Sequence, residues 1–140
     1  MYTLETYVEK FVTTAAEKPP IINVLSIDVE GYDMDVLLGA ANILERVQYL
    51  EFEYHYRGNW NHKYHIWNAT QFLDRQGFTC YWAGGTSHIT QKGRLWRITA
   101  CDVPDVYTKW RGWSSVACVH RSQTILAKDM EDLFLKTLQL

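Results

Sequence analysis

VLSIDVEGYDMDVLLGA, residues 24–40, is the stretch on which the fold turns. An aliphatic run ends at Ile27 and meets Asp28, Val29, Glu30 and Gly31. It then gives way to apolar residues at helical spacing: Met34, Leu37, Leu38, Ala41 and Leu44. Strand, glycine turn and helix in that order form the first half of a βαβ unit. Taken back to Ile21, the run reads IINVLSIDV, nearly continuous, which is the pattern of a strand buried on both faces of a parallel sheet. Two carboxylates placed where such a strand leaves the core are costly unless they are held or used. Asp33 and Asp35 fall in the first helical turn, where the helix dipole favours negative charge.

Downstream, VQYLEFEYHY, residues 47–56, is rich in aromatic residues and lies one helix length away, as the crossover to a parallel neighbour requires. A polar, aromatic loop over 57–65 comes next, then a helix over 66–76 with Gly77 at its C-terminal cap. A third strand over 78–82 is expected to break at Gly84-Gly85. Gln91-Lys92-Gly93 has turn chemistry between short extended segments at 88–90 and 94–99, which suggests a hairpin. SSVACVH, residues 114–120, is the last core strand. The final helix, 125–138, is expected to turn Leu126, Met130, Leu133, Phe134 and Leu138 inward. Upstream, Leu4, Tyr7, Val8, Phe11 and Val12 give a helix capped by Thr3, and Pro19-Pro20 stops it.

The chain of 140 residues is long enough for one domain that buries roughly two thirds of its unfolded surface. With 47% hydrophobic residues it has the composition of a packed core and not of a disordered segment. A net charge of −2 without a basic cluster argues against nucleic acid and anionic lipid surfaces as partners. No apolar run reaches the roughly 20 residues of a membrane span. MYTLETYVEK lacks the apolar centre of a signal peptide, so a complete chain would be expected in the cytosol. Cys80, Cys101 and Cys118 are odd in number and lack CxxC spacing, and free, packed thiols are the expectation.

In open α/β sheets, ligands bind beyond the carboxyl ends of the strands. The first strand ends in Asp28 and Glu30 and the second in Glu53 and His55. Adjacent strands about 4.8 Å apart would therefore bring these four groups to one rim. They could take a proton from a substrate, hold a hydroxyl, or coordinate a divalent ion. The plainer alternative is that Asp28 or Glu30 accepts hydrogen bonds from the turn after the strand. Tyr54, Tyr56, Trp60, His62, Tyr64, His65 and Trp67 crowd the next segment, either as a lid that stacks on a ligand or as a loop anchored by its own rings.

INVLSIDVEGYDMDVLLGAANIL followed by VQYLEFEYH resembles the FkbM-type S-adenosylmethionine-dependent methyltransferases. In that family a hydrophobic strand ends Lys-Ile-Asp-x-Glu-Gly and leads to an acidic residue and Val-Leu-x-Gly-Ala. Asp28, Glu30, Gly31, Asp33, Val36, Leu37, Gly39 and Ala40 match this pattern, with Ser26 in place of the usual Lys and Asp33 in place of the usual Glu. Glu53 and His55 match the acid–x–His of the next strand, and TLETYV is similar to a stretch upstream of the motif. The likeness covers roughly residues 2–82.

The resemblance implies an α/β fold: part of a Rossmann-like methyltransferase sheet, mixed with an antiparallel C-terminal hairpin region. Residues 1–140 would form one domain, the C-terminal part of a longer one that carries the glycine-rich cofactor turn upstream. It also implies S-adenosyl-L-methionine as cofactor and methyl transfer to a hydroxyl of a sugar or other small molecule. Asp28 would orient or deprotonate that acceptor, Glu30 would shape the turn, Asp28 and Gly31 would adjoin the cofactor, and Glu53 and His55 would complete the catalytic set. A sheet without the upstream strands would leave one flank of the Ile22–Val29 strand open to self-association. Two alternatives remain beside it: a non-catalytic interaction module docking through that edge, and a metal-dependent hydrolase using Asp28, Glu30, Glu53 and His55.

Overall fold

A computed structural model describes residues 2–12, 19–55, 57–85, 95–100 and 113–139. Among the described residues the chain is α/β, built on one mixed five-stranded sheet. The elements run α1 (Leu4–Tyr7, continued by a π-helical turn Val8–Val12), β1 (Ile22–Ile27), α2 (Asp33–Leu38), β2 (Val47–Tyr54), α3 (Asn59–His62), α4 (Ile66–Arg75), β3 (Phe78–Gly85), β4 (Trp96–Arg97), β5 (Ser114–His120) and α5 (Thr124–Leu138). The spatial order is β1-β2-β5-β3-β4, with β1 parallel to β2 and the other pairs antiparallel.

The βαβ unit expected from residues 24–40 is present, and strand register decides which side chains share a face. Ser26 lies opposite Glu51, and Glu51 opposite Ala117, so the odd-numbered residues of β2 share a face with Ala117 and Val119 of β5. Along a strand, faces alternate. Leu50, Phe52 and Tyr54 therefore point the other way, into the main core with Met34 and Leu37 of α2, Ile66, Ala69 and Leu73 of α4, and Val8. On the opposite face Met130 and Phe134 of α5 pack on Tyr81, Ala117 and Val119. That helix covers the β5 and β3 side and leaves the β1–β2 part of this face to the functional groups.

Several expectations are corrected. Among the described residues β1 pairs with β2 alone and forms an edge of the sheet, and Val24 is 60% exposed, so it is not a strand buried on both faces. An unbroken apolar run reports strand propensity, whereas burial depends on what lies beside it. The helix after Gly31 is short and passes through turns into a 3-10 segment, Leu44–Arg46. β3 runs through Gly84-Gly85 and absorbs an irregularity between Trp82 and Gly84. In α5, Met130 and Phe134 are buried as expected, but Leu133 and Leu138 are about half exposed and Leu126 is 39% exposed, because one sheet face buries a narrower stripe than five residues span. The 88–90/94–99 hairpin lies largely outside the described residues, and β4 pairs with β3. Among the described residues no helix is long and apolar enough to cross a membrane.

The expectation of free thiols is corrected for Cys80 and Cys118, and Cys101 lies outside the described residues. Cys80 and Cys118 stand opposite each other in the β3–β5 ladder and form a disulfide across 38 positions of sequence. Only the register of two distant strands brings the sulfurs together, so spacing could not reveal it. In the loop-entropy picture a bridge of that span stabilises by about 4 kcal/mol. Protein refolded in excess thiol reductant is expected to melt about 10 °C below the oxidised form in calorimetry, and equal melting temperatures would mean that the bridge adds nothing.

Candidate active site

The site forms where the β1–α2 turn meets the β2–α3 loop. After Ile27 the chain bends at once: Glu30 has φ 53° and Gly31 φ 94°. A Cβ at Gly31 would stand 2.3 Å from the Arg57 carbonyl oxygen, and one at Gly58, φ 59°, would stand 2.8 Å from the Glu30 carbonyl oxygen. The two loops thus touch backbone to backbone, and the Asn59 N–H donates to the Gly31 carbonyl at 2.9 Å. Asp33, fully buried, accepts from the Gly31 N–H at 3.2 Å. Burial pushes its carboxyl above the usual carboxylate range, against the pull of the hydrogen bonds it accepts.

Asp35 ties the second loop down. It accepts from Asn59 Nδ2, from Lys63 Nζ at 3.0 Å and from Tyr64 Oη at 3.2 Å. Partial burial raises its pKa, but these three donors outweigh that and hold it below the usual range. Within the aromatic segment Trp60 is an anchor, and Tyr56 lies outside the described residues. Trp60 is buried, stacks near Phe52, meets Tyr54 edge-on, and donates its indole N–H to the Glu53 carbonyl at 3.0 Å. His65 caps α4 in a reciprocal pair with Asn68.

A cavity of about 290 Å³ opens over this junction, lined by Asp28, Glu30, Glu53, His55, Arg57 and Trp113. All four polar groups expected at the strand ends line it. His55 is buried, its Nδ1 accepts the Arg57 N–H at 2.9 Å, and its Nε2 lies 3.1 Å from Glu53 Oε2. With Nδ1 accepting, the proton of a neutral ring sits on Nε2. Glu30 and Arg57 approach at 3.5 Å with both side chains well exposed, a pairing of small energetic weight. Gly31 presents its backbone to Arg57 and Gly58.

Arg57 and Trp113 were not among the expected site residues, and neither carries a local sign. Arg57 comes three residues after the second strand, and Trp113 precedes β5, which only the sheet order brings beside β2. Among the described residues no group of three or more His, Cys, Asp or Glu side chains is arranged to hold a metal ion.

Burial raises the Glu53 pKa above 4.5, helped by the charges of Asp28, Asp33 and Glu30 and opposed by His55. A carboxyl whose folded pKa is raised favours the fold when protonated, and that contribution is lost as pH rises through the folded value. At neutral pH the ionised Glu53 therefore weighs against folding. Glu53→Gln is expected to melt slightly higher than the parent at pH 7, with the difference vanishing below pH 4.5. A lower melting temperature at pH 7 would show that the His55 contact outweighs burial.

Asp28 at a strand end, a glycine turn locked to the neighbouring loop and an acid–x–His on the adjacent parallel strand are one constellation, built by the β1–α2–β2 unit. No curated protein and no solved structure matches the chain. A family model described as the methyltransferase FkbM domain matches residues 3–80, more than half of the chain and the span that holds this unit entire. On that match the chain belongs to the FkbM methyltransferase domain family.

Proposed function

We propose that the chain carries the acceptor-side half of an S-adenosyl-L-methionine-dependent O-methyltransferase site, acting on a hydroxyl of a sugar or other small molecule. The observation that carries this is the convergence of Asp28, Glu30, Glu53 and His55 on one cavity at the carboxyl ends of two parallel strands. The donor set suits the group. S-adenosylmethionine is a sulfonium cation, and the cavity offers three carboxylates against one guanidinium, itself beside Glu30.

When bound, the cofactor supplies an electrophilic methyl on positively charged sulfur. The chain's own residues hold the acceptor and take its proton. Asp28, at the end of β1 and on the cavity wall, is placed to accept the acceptor's O–H, orient its oxygen and remove the proton as bonding to carbon develops. Glu53 and His55 form an acid–imidazole pair on the neighbouring strand, with Nε2 3.1 Å from Oε2, able to hold another hydroxyl or pass the proton on. Gly31 and Glu30 set the turn on which this end of the cavity rests.

Isothermal calorimetry with S-adenosylmethionine, on the 140-residue chain and on any longer natural chain that contains it, tests the proposal. Saturable binding, competed by S-adenosylhomocysteine, is expected, and no heat of binding would overturn it. The open edge of β1, with Val24 60% exposed, favours a second reading in which a partner strand docks there. A monodisperse monomer in light scattering would count against that second reading.

A further inference from the structure

The cavity does not end at the strand rim. A second chamber of about 180 Å³ continues from it down the face of β1 and β2, and the two share Asp28, Glu53 and Trp113. Beyond Ile27 and Phe52, the polar residues added below are Ser26, Glu51 and Ser115. Register explains why they meet: Ser26 is opposite Glu51 and Ser115 opposite Glu53, all on the part of the sheet that α5 leaves uncovered.

The chamber has two unlike walls. Glu51 is pre-set, accepting from Ser26 Oγ at 2.8 Å on one oxygen and from Tyr49 Oη at 3.3 Å on the other. Each carboxylate oxygen has more than one lone-pair site, so Glu51 can still accept from a ligand hydroxyl. Trp113, 48% exposed, lines the same chamber from the start of β5, a rigid and largely apolar surface. A ring with C–H bonds on its faces and hydroxyls around its edge satisfies both walls at once: its face lies on the indole and its hydroxyls donate to Glu51 and Glu53. Charge narrows the class. Three carboxylates, Asp28, Glu51 and Glu53, face the chamber, so a phosphorylated, sulfated or carboxylated ring would be repelled.

We infer that the second chamber is a subsite for a neutral glycan ring, with Trp113 as its stacking wall and Glu51 as the group that reads its hydroxyls. The ring would lie next to the one whose hydroxyl reaches Asp28. Its role in an acceptor rests on the methyl-transfer proposal above, whereas binding of the glycan needs no cofactor.

The fluorescently labelled 140-residue chain would be applied to an array of neutral and anionic glycans without S-adenosylmethionine. Retention on a subset of neutral glycans is expected. It should weaken about tenfold in Trp113→Ala and in Glu51→Gln, recover in Trp113→Phe, and remain unchanged in Lys128→Ala on α5. Melting curves for each variant identify any that fails to fold, and Glu51→Gln, which keeps size and hydrogen bonding, decides the question if Trp113→Ala is lost. No retention, retention on anionic glycans only, or neutral-glycan retention indifferent to both substitutions would overturn the inference. Glycan retention by a chain that binds no S-adenosylmethionine would sink the methyl-transfer proposal and leave the subsite standing. Cofactor binding without glycan retention would do the reverse.

Discussion

Gly31→Ala is expected to destabilise the domain by about 3 kcal/mol or more, lowering its melting temperature by roughly 10 °C. Two costs add. At φ 94° an L side chain is strained wherever it points. Here the new Cβ also points at the Arg57 carbonyl, with oxygen at 2.3 Å, carbon at 2.7 Å and the Gly58 Cα at 2.9 Å. These are backbone atoms, so no rotamer change removes the clash. The only relief is to push the β2–α3 loop away from the β1–α2 turn, which breaks the Asn59-to-Gly31 hydrogen bond and opens the cavity wall that carries Arg57.

Gly39 in the same motif supplies the control. It has φ −74°, and an added Cβ would meet the Asp35 carbonyl and Thr3 at 3.4 Å, which is ordinary contact. Gly39→Ala is expected to stay within about 1 kcal/mol of the parent. Differential scanning calorimetry on the pair decides the matter: similar melting temperatures for the two variants would mean that the loops are not locked together at Gly31.

The second large effect is on chemistry. Asp28→Asn is expected to lower kcat/KM for methyl transfer by about 10²–10⁴-fold, the usual contribution of a positioned general base, with little change in melting temperature. The substitution keeps the shape of the side chain and its place on the cavity wall but removes the proton acceptor. Asp28 lies outside both core clusters, so its replacement leaves the packing intact. Release of S-adenosylhomocysteine with an acceptor that the parent turns over would be followed as a function of pH. A rate within about threefold of the parent would remove Asp28 from the proton path and shift attention to Glu53 and His55.

Much of the site was legible because its parts lie close in sequence. Asp28, Glu30 and Gly31 come at the end of one strand, Glu53 and His55 close the next, and a helix between them makes the strands parallel neighbours. What local pattern conveyed less well was the chemistry of each group. Asp33, expected as a dipole partner at a helix start, is a fully buried anchor for the turn. Trp60, one of seven aromatic or imidazole residues in a candidate lid, is core, because its ring packs on Phe52 and Tyr54.

Local pattern was enough for the β1–α2–β2 unit and the four polar groups at the strand ends, since alternating and helical periodicities and a glycine turn are properties of short segments; the family came from the resemblance of the motif residues. The place of β5 between β2 and β3 came from the folded chain alone. That order joins Cys80 to Cys118, brings Trp113 and Ser115 beside Glu53, and leaves β1 at an edge. Strand order and register are fixed by burying one sheet between two unlike sets of helices, a sum over contacts far apart in the chain to which no short segment holds the key.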